Sequence, residues 1–232
     1  MRASAVPHRG TRFVVAGIVA LAAGTGFAAA EEASAPSIEA QVAGALAAAP
    51  EDRRAGATVL GYDEAGELVT LRDGDNELIC LADTPGDDAF RVACYHRSLE
   101  PYMRRGRELR AAGVDGAENL DQRHREADEG KLQMPEAPAS LYNLGGDLSI
   151  FDPVTGAVDG GFYVWSVYIP YADEVGTGLP TTPQAPGAPW IMRPGTASSH
   201  IMVVQPRPAP PETSEASETA EPESQPEASA PE

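Results

Sequence analysis

Two cysteines in neighbouring apolar segments restrict the folding of this chain more than any other feature. Cys80 lies in residues 77–83 and Cys94 in residues 89–95, and both segments are short, apolar and rich in strand-favouring residues. Residues 84–88, Thr-Pro-Gly-Asp-Asp, are typical of a turn. We therefore predict one antiparallel hairpin with Cys80 opposite Cys94 or one position from it. Because opposed residues have Cβ atoms about 4.5–5.5 Å apart, a disulfide there needs little distortion.

Residues 1–30 have the composition of a secretory signal peptide. Arginines precede an apolar run over residues 13–23, which is short for a bilayer span, and small residues lead to Ala30, after which we predict cleavage. An uncleaved N-terminal anchor is the alternative. We expect a bacterial protein that is periplasmic or secreted, with no transmembrane anchor in the mature chain. Export favours a disulfide over two buried free thiols. The chain has no Cys-x-x-Cys spacing, so the sequence does not indicate a redox site.

The mature chain divides into three parts by composition. Residues 31–56 predict an alanine-rich helix and a linker, with Ser37 as the helix cap and only weak docking to the body. Residues 57–205 predict a single α+β domain. Residues 206–232 contain Pro, Glu, Ser, Ala and Thr apart from one Arg and one Gln, and they predict a disordered acidic tail.

The domain is expected to be an antiparallel β-sheet of about six to seven strands packed with two to three helices. Strands over residues 57–62 and 67–72 precede the cysteine hairpin, and together these four predict an antiparallel meander. Residues 141–151 and 199–204 predict further strands. Residues 162–169 are apolar at almost every position, which is typical of a central strand covered on both faces.

An arginine-rich helix is predicted directly after the hairpin. Ser98 is the expected cap, Pro101 is tolerated in the first turn, and Gly113 ends the helix. A second helix, expected on the surface, opens with a capping-box pattern at Asp115 and Glu118. Arginines dominate one face of the first helix and the segment just before it: Arg97, Arg104, Arg105, Arg107 and Arg110.

The charge of the chain limits the partners that it can bind. The formal net charge is -18 at pH 7, which disfavours nucleic acid and anionic membranes. We expect the partner to be a small molecule, a peptide or an envelope protein. No zinc-protease, serine-hydrolase, phosphate-loop or dinucleotide motif is present, and we predict no cofactor, no metal and no catalytic residue.

The leading hypothesis is a non-catalytic binding module whose ligand meets one rim of the sheet. The long Pro- and Gly-rich segment over residues 171–197 is unusual inside a compact domain, and such loops are often functional. The arginine helix offers guanidinium groups to an anionic ligand, or else pairs with the abundant acidic residues of the chain itself. The candidate binding residues are His96, Arg97, Arg104, Tyr171, Trp190 and His200.

Two other functions remain open at this stage. His96 and His200, each at a strand end, could converge with Asp173 or Glu174 in a periplasmic hydrolase or metal-dependent enzyme. Alternatively, the domain is a structural scaffold of the cell envelope, and the acidic tail acts as its spacer or tether.

Three blocks of sequence resemble a group of bacterial exported proteins of unknown function. These blocks are VACYHRSLEPYM at residues 92–103, MPEAPASLY at 134–142 and PWIMRPGT at 189–196. The resemblance extends over most of residues 50–204. It implies export and supplies no activity, ligand or site residue.

Overall fold

The structure is a computed structural model that describes residues 35–206 of the chain. The predicted signal peptide and the predicted acidic tail after residue 206 lie outside the described residues. Within this range the helices are α1 (Ile38–Leu46), α2 (Glu100–Ala111), α3 (Gly116–Asp128) and α4 (Glu174–Thr177). The strands are β1 (Thr58–Tyr62), β2 (Leu68–Arg72), β3 (Leu78–Leu81), β4 (Phe90–His96), β5 (Ala139–Gly146), β6 (Phe162–Tyr168), β7 (Trp190–Met192) and β8 (His200–Val204). Among the described helices, none has the length and apolar character that crossing a bilayer requires.

The eight strands of the described range form one mixed sheet in the order β2-β1-β3-β4-β5-β6-β8-β7, which confirms the predicted α+β class. The predicted antiparallel meander is wrong, because β3 pairs in parallel with β1 and not with β2. A close crossing at Gly74 explains this arrangement. A Cβ atom at Gly74 would lie 2.3 Å from the backbone of Gly56 and Thr58, so the chain passes against the start of β1 and places β3 on its far side.

The predicted disulfide is present and joins directly opposed residues. Cys80 of β3 pairs with Cys94 of β4 in the ladder, and their sulfur atoms are bonded. Both side chains are fully buried in the core, which extends to Val59, Phe90 and Leu144. The disulfide therefore joins β3 to β4 in the middle of the sheet, on the side that α1 covers.

The helices cover only part of each face of the sheet. By strand register, Val59, Cys80 and Cys94 share one face with Trp165, and we call it the α1 face because α1 packs on its β1–β4 half. The opposite face, here the α2 face, packs Tyr95 and its neighbours under α2. Strand β6 is central, as predicted, but it is not covered on both sides. Trp165 and Val167 are 44% and 38% exposed on the open half of the α1 face.

Helix α1 docks firmly, which contradicts the expectation of weak docking. Ser37 caps it as predicted, and its small side chains let the helix approach the sheet closely. Gln41, 4% exposed, donates from Nε2 to the carbonyl oxygen of Tyr62 and accepts from the Tyr62 amide, at 2.9 and 2.8 Å. Gly44 packs against Phe151, so the alanine and glycine residues of α1 allow close packing and do not weaken its docking.

Helices α2 and α3 differ from the prediction mainly at their starts. Ser98 is not the cap; the side chain of His96 accepts from the Ser98 amide in a short 3₁₀ turn before α2. Asp115 makes no side-chain capping bond, so the predicted capping box is not formed. Helix α3 is not merely on the surface, because Asn119 is buried and donates to the carbonyl oxygens of Gly106 and Val114. The two helices therefore form one layer.

Candidate functional site

The structure does not bring His96 and His200 together. His96 ends β4 and His200 begins β8, three inter-strand steps away, which is about 14 Å at the usual strand spacing. Register also places His96 on the α1 face and His200 on the α2 face. The Nδ1 atom of His96 lies 2.8 Å from the Ser98 hydroxyl, and His200 stacks on Tyr168. The two imidazoles therefore cannot act on one substrate atom.

The acidic partners considered for these histidines have local roles. Asp173 caps the single turn of α4 by accepting from the amide of Gly176 at 2.7 Å. Glu174 is exposed in that turn. Across residues 35–206, no group of three or more His, Cys, Asp or Glu side chains is placed to hold a metal ion. The predicted acid–base or metal cluster is not assembled.

The other members of the predicted rim are also dispersed. Tyr171 donates its hydroxyl to Asp128 of α3, and Trp190 lies in the edge strand β7, opposite Met202. The guanidinium of Arg97 donates to the backbone carbonyl of Asn76, beside the start of β3. Tyr171 and Arg97 thus tether separate parts of the described chain, and Trp190 belongs to the sheet edge.

A buried serine links two histidines, one of which sequence reasoning did not select. The Ser198 hydroxyl lies 2.6 Å from Nε2 of His124, and the Ser198 carbonyl oxygen lies 2.6 Å from Nδ1 of His200. Burial lowers the pKa of both histidines. The Ser198 side chain is only 1% exposed, so no substrate reaches its hydroxyl. The bond between His124 and Ser198 ties α3 to the segment just before β8.

Two of the arginines on α2 are occupied by internal partners. Arg105 bonds both oxygens of Glu126 at 2.7 Å, and this hydrogen bonding raises the pKa of Arg105. Arg107 bonds Glu100 at 2.7 Å and the Tyr95 hydroxyl at 3.0 Å. These two arginines therefore pair with groups of the chain itself, and we do not assign them to a ligand.

Arg104 and Arg110 differ from their neighbours on the helix. Within the described residues Arg104 makes one ion pair, a long one of 3.7 Å to Glu108, and its side chain is 64% exposed. Arg110 is exposed, and its side chain makes no ion pair or hydrogen bond with any described residue. Both are therefore free to meet a ligand from solvent.

These two arginines line a groove on the uncovered part of the α2 face, which we call the arginine groove. Its volume is about 770 Å³. Leu60, Leu81 and Ala93 lie side by side in the ladder beneath it, because β1, β3 and β4 are adjacent strands. The charged groups along its walls are Arg91, Arg104, Arg107, Arg110, Glu67 and Glu108. The groove thus combines an apolar floor with a rim of excess positive charge.

Comparison with known proteins finds no matching family model, no curated relative and no similar solved structure. The arginine groove and its surroundings are therefore the basis for assigning a function.

Proposed function

We propose that this chain is an exported, non-catalytic binding module whose ligand is an anionic amphiphile held in the arginine groove. The ligand would carry a carboxylate or phosphate head and an apolar body. The observation that carries the proposal is the position of Arg104 and Arg110, two weakly partnered cations beside an apolar floor.

In a chain with so many acidic residues, two arginines with weak pairing or none are unexpected. Acidic residues outnumber Lys and Arg by 35 to 17, so carboxylate partners are abundant. Arg105 pairs with Glu126 and Glu108 and Arg107 with Glu100, whereas Arg110 has no such partner among the described residues. A guanidinium forms two parallel hydrogen bonds with a carboxylate or phosphate, which suits it to an anionic head group.

The floor of the groove supports an apolar body in the ligand. Leu60 and Leu81 are only partly buried, and covering them would remove apolar surface from water. The volume of about 770 Å³ lies within the range of small-molecule sites. Charge at the rim and hydrocarbon at the floor together favour an amphiphile over a fully polar anion.

The lining of the groove favours binding without catalysis. It contains no histidine, cysteine or serine, and of its two carboxylates Glu108 is paired with Arg104 and Arg105, which leaves Glu67. Arginine keeps its charge throughout the ordinary pH range and does not exchange protons with a substrate. Export is supported by the leader composition together with the buried disulfide, because such bonds persist in oxidising compartments.

Calorimetric titration of the chain lacking residues 1–30 tests this proposal. Decanoate and decyl phosphate are expected to bind below their micelle concentrations, and decyltrimethylammonium is not. The double variant Arg104→Ala/Arg110→Ala should weaken binding about tenfold or more, because two charge-assisted contacts are lost. Arg125→Ala is the matched control, since Arg125 is an exposed arginine of α3 outside the groove.

Two results would contradict the proposal. One is that neither anionic probe binds. The other is that the double variant binds them as tightly as the unmodified chain does, which would place the ligand elsewhere. Arg110→Lys refines a positive result, because it keeps the charge but loses the planar fork and should cost only part of the affinity.

A further inference from the structure

A second cavity lies on the α1 face, at the opposite side of the sheet from the arginine groove. It is a cleft of about 400 Å³ between α1, the β3–β4 turn and the segment after β5. Phe90 and Phe151 stack within it, with ring centroids 4.8 Å apart. Its lining is predominantly apolar and includes Ala45, Pro85, Phe90, Val92, Leu148 and Phe151.

Small residues of α1 create this cleft. A Cβ atom at Gly44 would lie 2.7 Å from Cε2 of Phe151, so the aromatic ring occupies the space that a side chain would take. Ala45 follows on the same wall and is fully buried. Leu148, which is 49% exposed, stands at the open side. An apolar body could therefore enter from solvent and contact the ring of Phe151, behind which the fully buried Phe90 is stacked.

Asp83 is a carboxylate of the cleft that makes no ion pair within the described residues, although the charge of Arg91 acts weakly to lower its pKa. Its carboxylate accepts hydrogen bonds from the backbone amides of Arg91 and Thr84, and no cationic side chain donates to it within the described residues. The guanidinium of Arg91 turns instead to Asp87 and Asp88, at 3.5 and 3.1 Å. Burial raises the pKa of Asp83, and the nearby charge of Asp87 acts in the same direction.

The other polar side chains on the wall have partners already: the Thr84 hydroxyl lies 3.0 Å from the Tyr62 hydroxyl, and Asp87 pairs with Arg91 at 3.5 Å. Gln41 also lines the cleft, and its amide is engaged with Tyr62 and with the carbonyl oxygen of Pro36. A ligand that enters the cleft therefore finds hydrocarbon on most sides and a negative charge at Asp83. An anionic ligand would be repelled there, and a neutral one would leave the carboxylate without a counter-charge.

We propose that this cleft binds an apolar primary amine, with its ammonium group on Asp83 and its hydrocarbon or aromatic body against Leu148 and Phe151. Charge complementarity selects the ammonium, and burial of the body supplies the hydrophobic contribution. A cleft of about 400 Å³ accommodates a small arylalkyl or alkyl amine. The inference does not depend on the arginine groove, which lies on the other face and has the opposite charge preference.

Titration with 2-phenylethylammonium, followed by calorimetry and by amide chemical shifts, tests the inference. The matched probes are 2-phenylethanol, which is neutral, and 3-phenylpropionate, which is anionic. We expect the amine to bind, with shifts at residues of the cleft such as Ala45 and Gly86, and the alcohol and the acid to bind at least about tenfold more weakly.

Two variants make the test specific to the cleft. Asp83→Asn keeps an acceptor for the Arg91 amide and removes the charge, so it should weaken amine binding about tenfold or more. Asp73→Asn is the control, because Asp73 is an exposed aspartate outside the cleft that makes no ion pair with Arg91, and the change should leave the affinity unchanged. Should Asp83→Asn fail to fold, Leu148→Trp serves instead, since it narrows the opening from a half-exposed position and should also weaken binding.

The inference is overturned by any of three results: no binding of the amine, equal affinity for the alcohol, or equal affinity in the unmodified chain and a folded Asp83→Asn or Leu148→Trp variant. Failure here leaves the arginine groove untouched, because the probes and variants differ.

Discussion

Arg105 of α2 and Glu126 of α3 form a two-armed ion pair in which Nε and Nη2 each donate to a separate carboxylate oxygen at 2.7 Å. Gln122 donates to the same carboxylate at 2.9 Å. The pair joins two helices that sequence patterns alone do not place together. It also explains why Arg105, although it belongs to the arginine-rich face, does not take part in the proposed ligand site.

The ion pair predicts a pH dependence of stability. Hydrogen bonding from Arg105 lowers the pKa of Glu126 from 4.5 to about 2. A carboxyl with a depressed pKa in the folded state stabilises the protein above pH 4.5, and this contribution is lost as the pH falls towards 2. Glu126→Gln should therefore lower the free energy of unfolding at pH 7 by about 1 kcal/mol, and the difference should shrink between those pH values.

Urea unfolding at a series of pH values measures this difference. Glu118→Gln is a suitable control, because Glu118 is an exposed glutamate in the first turn of α3. A difference for Glu126→Gln that stays constant from pH 7 down to pH 2 would contradict the role assigned to its charge.

Gln41 should be a strong determinant of how α1 docks. It exchanges two hydrogen bonds with the backbone of Tyr62, the last residue of β1. Gln41→Ala removes the side-chain partners of the partly buried amide and carbonyl of Tyr62, so we expect a loss of about 2 kcal/mol. Glu39→Ala, an exposed change in the same helix, should cost far less. Equal urea midpoints for the two variants would rule out this docking role.

Features that depend on nearby residues could be predicted from the sequence. The opposition of Cys80 and Cys94 follows from strand length and one turn, and Ser37 caps its helix through a local bond. The parallel pairing of β1 with β3 depends instead on the contact of Gly74 with backbone that is 16 or more residues earlier in the chain. No local pattern encodes such a crossing, so the predicted meander had the correct strands in the wrong order.

The candidate site was less predictable because it depends on which partners the fold supplies. Five arginines cluster in the sequence, but only the structure shows that Arg105 and Arg107 have internal carboxylates and that Arg110 has none among the described residues. His124 and Ser198 are 74 residues apart and meet only through packing. Side-chain chemistry allowed either an anion-binding helix or pairing with the chain's own carboxylates, and tertiary contacts decided which of its arginines remain accessible.

Removal of the disulfide should destabilise the chain measurably. The two cysteines are 14 residues apart, and closing a loop of this size contributes about 3 kcal/mol in the chain-entropy model. Cys80→Ala/Cys94→Ala should lower the free energy of unfolding by about that amount or more, since both side chains are buried. Urea unfolding of the oxidised chain and of the double variant, both without reductant, provides the comparison. An unchanged midpoint and slope would show that the disulfide contributes nothing to stability.

The partial covering of the α1 face predicts a contrast between two aromatic residues. Phe90 is fully buried and stacks on Phe151, whereas Trp165 is 44% exposed and meets Tyr142 edge-on at 6.5 Å. Phe90→Ala creates a cavity in the core and should cost about 3–5 kcal/mol. Trp165→Ala removes a side chain that water already reaches and should cost about 1 kcal/mol. Urea unfolding of the two variants at one pH measures both values. If Trp165→Ala is as costly as Phe90→Ala, the β6 end of this face is covered in solution and the open half described for it does not exist.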